Sequence, residues 1–510
     1  MVRLSGLGRW HHMARIGYLS ITVTKQFLLG IDEGTSAVKA VLYDEELRPL
    51  GEARREKPLQ HPQPGWVEQD PQDVLAAVVD AVAELLQQAD GELVACGLDH
   101  QGESVLAWDA ESGGPLTPIV TWQDKRSQEA LHRLEAAGRA EEVHERSGMP
   151  LDPYFSAGKL TWLLEHEQVV ADARDAGTLR LGTVDAWLCE QLGAGFTTDP
   201  STASRTQLAV PGEPDWDPLL LDAFGVPRSA LPEIRDSAGD LGWLRHPDWK
   251  RELPLRARVV DQQAALAGAG CTQPGLVKAT YGTGVFVLAH VGEERPSPGE
   301  TGLLPTVAWR VDGRVEYALD GGVFTAGALL EWLSRDLGLA DGPAALAALA
   351  SGVEDAGGVR VLPALAGMGA PWWRPDARAV LAGLTAGTRP AHVARAALEA
   401  IAWRVADVVE AVGHDAPVEA LRVDGGLTRD GLLLRLQADA AGVPVQRGAV
   451  DATAAGSAAL AAVGAGLWSG TAEIADRIPA GEPVEPERDS AWRSVAHGEW
   501  REFVERAAAL

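Results

Sequence analysis

Cysteine is scarce in this 510-residue chain: Cys96, Cys189 and Cys271 are all there is. Three scattered thiols, odd in number and without ligand spacing, exclude a disulfide framework and a structural zinc site. They fit a reduced, cytoplasmic protein. Basic residues are also in deficit. Lysine and arginine number 45 against 72 aspartates and glutamates, a formal charge of −27. Such a surface repels nucleic acid and anionic lipid at long range, so neither is an expected partner. An anionic ligand would have to be held by local features: backbone N–H groups, a metal ion or a few placed cations. Long apolar runs are missing as well, and none approaches the roughly 20 residues of a membrane span. Stable membrane association is not expected. Residues 1–25 carry Arg3, Arg9 and Arg15 without an apolar stretch long enough for a signal peptide. They read as a tail, or as residues upstream of a later start such as Met13.

What is present is a globular composition, 46% hydrophobic and 23% charged. The length calls for two or more domains. Phe27–Asp32 reads as a buried strand, Gly34-Thr35-Ser36 as a tight turn, and Val38–Tyr43 as the returning strand of a hairpin. The pattern recurs at Leu276–Leu288 around Gly282-Thr283-Gly284, nearly half a chain later. Two halves that open alike suggest duplicated α/β domains facing one another, 26–269 and 270–510, divided near Gly268–Thr272. Between the hairpins strands and helices alternate, as in α/β domains with mixed sheets. Asp70-Pro71 marks a helix start, and Leu93–Leu98 is the next strand. In the second half Pro390–Val412 is a strong helix. Asp451–Leu467 is rich in alanine and glycine, so that helix can approach its neighbours closely.

Three glycine-rich turns follow strands: Gly34-Thr35-Ser36, Gly282-Thr283-Gly284 and Gly425-Gly426 after Asp424. Exposed N–H groups and hydroxyls in such turns can cradle phosphate oxygens. Asp32, at the mouth of the first turn, could hold Mg²⁺ through water, since hard cations prefer carboxylate oxygen. The bland reading of any one turn is an ordinary hairpin; three together fit a nucleotide cleft between two domains. Asp261 opens a helix after a β-rich run. It reads either as a helix cap or as the base that takes a proton from an attacking hydroxyl. Position alone leaves both open.

Longer segments narrow the choice. Tyr154-Phe-Ser-Ala-Gly-Lys159-Leu-Thr-Trp162, Ala379-Val-Leu-Ala-Gly383-Leu384 and His392–Glu399 match the two signatures of the FGGY family of carbohydrate kinases. Thr183–Trp187, Ser204-Arg-Thr206, Asp261–Leu266, Tyr281–Gly284, Gly369–Trp372 and Leu421–Gly426 resemble its glycerol kinase branch, in the same order. The resemblance, from about Phe27 to Trp468, implies two domains of the actin and hexokinase (ribonuclease H-like) type, with ATP and substrate in the cleft between them. The implied reaction is ATP-dependent phosphorylation of a small polyol, glycerol to glycerol 3-phosphate in the first instance. The alternative is a longer polyol or a ketose such as erythritol or xylulose. A non-catalytic actin-like ATP-binding module is disfavoured, because Asp32 and Asp261 are both kept. By the same resemblance Asp261 is the catalytic base, and Glu103, Tyr154, Asp261 and Gln262 hold substrate hydroxyls. Trp122 and Phe286 wall the carbon chain. Asp32 lies near Mg²⁺, Thr35, Ser36, Gly282 and Thr283 near the ATP phosphates, and Gly425 and Gly426 near the adenosine. A homo-oligomer is compatible with the sequence.

The departures are specific. The branch has arginine before the substrate-binding glutamate, whereas here the run is Gln101-Gly102-Glu103. A cation is thereby expected to be missing and space to be opened. Asp430 replaces an asparagine near the adenine. The basic glycine-rich loop that binds fructose bisphosphate in some relatives is replaced by Ala238–Trp249.

Overall fold

The computed structural model describes residues 25–299, 301–448 and 451–510. The tail expected over 1–25 lies outside the described residues apart from Lys25. The first strand runs over Gln26–Glu33 (β1), turns at Gly34–Ser36 and returns as Ala37–Tyr43 (β2), followed by Pro49–Glu56 (β3). Asp70 then caps helix Pro71–Gln88 (α1), its carboxylate accepting from the Gln72 amide with Pro71 in the first turn. Glu92–His100 (β4) lies parallel to β1, and Leu253–Val260 (β5) lies parallel to β4. Helix Asp261–Gly268 (α2) follows directly.

The second half repeats this plan. Leu276–Tyr281 (β6), Val285–Gly292 (β7), Leu304–Val311 (β8) and Arg314–Val323 (β9) form antiparallel pairs. Helix Pro390–Val412 (α3) leads to Ala420–Asp424 (β10), Gly431–Ala441 (α4), Val445–Arg447 (β11) and Ala452–Gly464 (α5). One six-stranded sheet has the order β3-β2-β1-β4-β5, with Trp243–Leu244 at its edge. The other runs β8-β9-β7-β6-β10-β11. In each, a set of antiparallel strands opened by a hairpin is followed by two parallel strands, which is the duplicated mixed-sheet architecture expected from the two hairpins.

The alanine- and glycine-rich helix α5 packs where the halves meet. A Cβ at Gly30 or Gly97 on the first sheet would run into the backbone carbonyl of Ala454 or Ser457, and one at Gly456 into that of Ala264 on α2. Absent side chains let α2, α5 and the first sheet approach at backbone distance. One buried cluster accordingly runs from Leu28 and Ala257 through Ala264 and Ala458 to Leu288 and Trp309 of the second sheet. Ala238–Trp249, in place of a basic loop, is built into the first sheet, with Ala238, Leu241 and Trp249 buried. No helix among the described residues is long and apolar enough to cross a membrane.

Candidate active site

Strands β1, β4 and β5 end side by side, and the residues at and after those ends form the site. Register places Asp32 opposite Asp99, and His100 opposite Val260. The chain leaving β4 is pinned by polar contacts. The Gln101 amide N–H donates to the Glu33 carbonyl at 2.9 Å, its side chain donates to Glu33 and Gln69, and Ser104 donates to the Gln101 Oε1. Buried Lys57 pairs with Glu33. This web holds Glu103 in a left-handed backbone conformation, φ 57°. A non-glycine residue there is strained and is kept so by its surroundings.

Glu103 faces a pocket of about 220 Å³ lined by Thr35, Gly102, Trp122, Tyr154, Asp261, Gln262 and Phe286, all candidates from the sequence. Trp122 meets Tyr154 edge to face at 5.6 Å, and its indole N–H donates to the Thr35 hydroxyl at 2.9 Å. The loop carrying Tyr154 is tied down by buried Lys159, whose ammonium donates to the carbonyls of Pro153, Tyr154 and Phe155 at 2.6–2.9 Å. Gln262 accepts from Lys278 of β6 at 2.7 Å. Phe286 enters from β7. Residues of both halves therefore surround one polar pocket with aromatic walls.

Asp261 is not the helix cap. Val260 occupies the cap position of α2, and no side chain caps that end. Asp261 is the first helical residue, and its carboxylate lines the pocket. Burial raises its pKa above the ordinary aspartate value, opposed chiefly by Lys278 and then by His100. Burial also raises Asp32 and Asp99, each further raised by neighbouring carboxylates.

The remaining candidates lie outside this pocket. Gly282-Thr283 and Gly425-Gly426 extend from the carboxyl ends of β6 and β10, which are parallel neighbours. That is where ligands bind in open α/β sheets. Gly425 has φ 94°, and a Cβ there would strike the Tyr281 backbone, whereas Gly426 faces open space. These turns, with Ser36, are exposed. Asp430 caps α4 by accepting from the Leu432 amide at 2.7 Å, so its carboxylate has a structural task.

Models of the FGGY family of carbohydrate kinases match the chain over residues 27–268 for the N-terminal domain and 277–465 for the C-terminal domain. A glycerol kinase of Halorhodospira halophila is 41% identical over 493 residues, covering 95% of this chain and 97% of that protein. The chain belongs to the FGGY family of carbohydrate kinases. A glycerol kinase of Alkalilimnicola ehrlichii is 45% identical over 450 residues, covering 87% of this chain and 91% of that one. The crystal structure of Plasmodium falciparum glycerol kinase with ADP superposes with a TM-score of 0.89 at 29% identity, over 95% of this chain and 98% of that chain.

Two features of the pocket bear on what the glycine at 102 means for this FGGY kinase. The pocket does not lack a cation. Arg205, just past the short helix Pro200–Ser204, donates from Nε to Glu103 at 2.7 Å and pairs with Asp320 of β9 at 2.9 Å. Arg205 and Asp320 both line the pocket, as do Gln101, Gln263 and Thr306. None of these was a sequence candidate, although Ser204-Arg-Thr206 had been singled out as a motif. Nor would a side chain fit at 102 without a shift of its neighbour. A Cβ at Gly102 would sit 2.9 Å from Val260 Cγ1, because β5 lies beside β4 and Val260 covers the glycine.

Installing arginine at 102 therefore meets Val260 first. Gly102→Arg alone should cost about 1–3 kcal/mol of stability through overpacking, and by displacing Val260 and the adjoining Asp261 it should lower kcat/KM on glycerol by about tenfold. Adding Val260→Ala should recover that loss and then exceed the parent, because a charged donor to a hydroxyl contributes about 1.5–3 kcal/mol. Steady-state kinetics of both variants check this. Equal effects with and without Val260→Ala would count against the interlock.

Proposed function

We propose that this kinase transfers the γ-phosphoryl group of ATP to a hydroxyl of glycerol, giving glycerol 3-phosphate. The observation that carries the reading is the uncapped Asp261 carboxylate in a small pocket of hydroxyl-orienting groups and aromatic walls. Glu103, Gln262 and Asp261 accept or donate hydrogen bonds to the polyol, while Trp122, Tyr154 and Phe286 cover its C–H faces and exclude water. Asp261 accepts the proton of the attacking hydroxyl as the phosphoryl group moves. Thr35, Ser36, Gly282 and Thr283 receive the phosphates, and Gly425 with Gly426 leaves room for the adenosine.

The residues present also fit Mg²⁺. Asp32 offers hard oxygen at the cleft, and no group of three or more His, Cys, Asp or Glu among the described residues forms a complete metal cage. That suits an ion which keeps its waters and uses one or two carboxylates with substrate phosphates. Mg²⁺, when bound, offsets the charge on the phosphate oxygens.

The test is substrate-dependent ADP release across glycerol, erythritol, xylitol and xylulose, with the full chain and MgATP. Glycerol should give the highest kcat/KM. A higher value on a four- or five-carbon substrate would replace glycerol, and no polyol-dependent release would remove the kinase assignment.

A further inference from the structure

Asp99 has no assigned task, and the group it faces is another carboxyl, that of Asp32. It ends β4 in register with Asp32 on the parallel neighbour β1, so the two side chains leave the sheet on the same face. Asp99 is fully buried, its carboxyl lies within hydrogen-bonding reach of Asp32, and no nitrogen donor reaches either of its oxygens. Ser457 of α5 lies near, but its hydroxyl donates to the Ala454 carbonyl at 3.2 Å. Two carboxyls packed together without a basic partner are costly in a folded protein and call for an explanation such as a bound ion.

The surrounding charges show what is left uncompensated. Glu103 and Asp320 share Arg205, and Glu33 has Lys57. Lys278 faces both Asp261 and Asp424. The cation that acts on Asp32 is Lys57, already bonded to Glu33. Asp32 and Asp99 thus form a side-by-side pair of carboxylates with no cation of their own among the described residues. Asp32 is partly exposed to the cleft and Asp99 lies fully enclosed beside it.

We propose that Asp99 joins Asp32 in holding a divalent cation, so that the ion is bound by two carboxylates of adjacent strands. Two negative charges match one divalent ion, and oxygen ligands match a hard one. The ion's part in phosphoryl transfer rests on the kinase reading above, but its binding does not.

Mn²⁺ alone, titrated into the nucleotide-free full chain and followed by the paramagnetic resonance of the free ion, tests the pair. One saturable site is expected, weakened at least tenfold by Asp99→Asn and likewise by Asp32→Asn. Absence of the site, or unchanged affinity in folded Asp99→Asn, would overturn the proposal. Should Asp99→Asn fail to fold, anomalous diffraction from wild-type crystals grown with Mn²⁺ decides. A peak in contact with oxygens of both aspartates supports the pair, and a peak on Asp32 alone or elsewhere sinks it. Glycerol-dependent ADP release on the same preparations separates the two readings. Turnover with unaltered Mn²⁺ affinity in Asp99→Asn removes only the pair. Mn²⁺ bound at the pair without polyol turnover removes only the kinase assignment.

Discussion

Asp261→Asn should lower kcat on glycerol by about two to four orders of magnitude while changing KM far less. The amide is nearly isosteric and still offers an oxygen to a substrate hydroxyl, but it cannot take the proton. Stability should move little, because Asp261 is not the cap residue of α2 and the amide oxygen of asparagine can still accept from the Gln262 backbone N–H. The pH dependence has a fixed sign. Burial holds the Asp261 carboxyl above the ordinary aspartate value. The base is active only when ionised, so kcat should fall as pH is lowered through that raised pKa, earlier than for an exposed aspartate. The limb due to this group should be missing from the residual activity of Asp261→Asn. Rate–pH profiles of both proteins check the pair of statements. Near-normal turnover in the folded variant would remove Asp261 from proton transfer.

How much of this was legible in the sequence depended on the range of the interaction. The Gly34–Ser36 turn, the Asp70 cap and helix α3 are local: their signals lie within a few residues of the structure they specify. The helix read over Pro390–Val412 has those bounds, and the strand read over Leu93–Leu98 extends to Glu92–His100. The alanine and glycine of α5 also announced close packing correctly. Short strands escaped notice. The sheet formed by Glu68–Gln69, Ile119–Val120, Val105–Asp109 and Leu179–Thr183 has members of two to five residues, too few to show an alternation. Contacts between distant residues escaped it too. Val260 covers Gly102 only because β5 pairs with β4, and nothing near either residue encodes that pairing. Motif resemblance supplied Glu103, Trp122, Tyr154, Gln262 and Phe286, which do line one pocket with Asp261, but it gave no sign of Asp320 or of Asp99 beside Asp32.

Arg205 is the largest consequence of those long-range contacts. Its guanidinium lies between Glu103, from the first half, and Asp320, from the second, and close to the rings of Tyr154 and Phe155 at 5.7 and 5.5 Å. It spans the pocket and fixes the carboxylate expected to hold a substrate hydroxyl. Arg205→Met keeps much of the volume but leaves buried Glu103 and partly exposed Asp320 unpaired, which costs about 3–5 kcal/mol of stability. Losing the charged hydrogen bond that orients Glu103 should lower kcat/KM on glycerol by roughly ten- to more than a hundredfold, carried mainly by KM for glycerol, with KM for ATP little changed. Arg205→Lys should fall between, since one ammonium does not replace a fork that engages two carboxylates. Stability supplies an independent sign. Burial already raises the Glu103 pKa, opposed by Arg205. Without the arginine it rises further, so the folded variant binds a proton more tightly than the unfolded chain. That contribution is complete at acid pH and is lost as pH rises through the raised folded-state pKa. The Tm deficit of Arg205→Met should therefore be smaller near pH 5 than near pH 8. A deficit independent of pH, with KM for glycerol unchanged, would show that Arg205 neither holds Glu103 in charge nor shapes the pocket for its substrate.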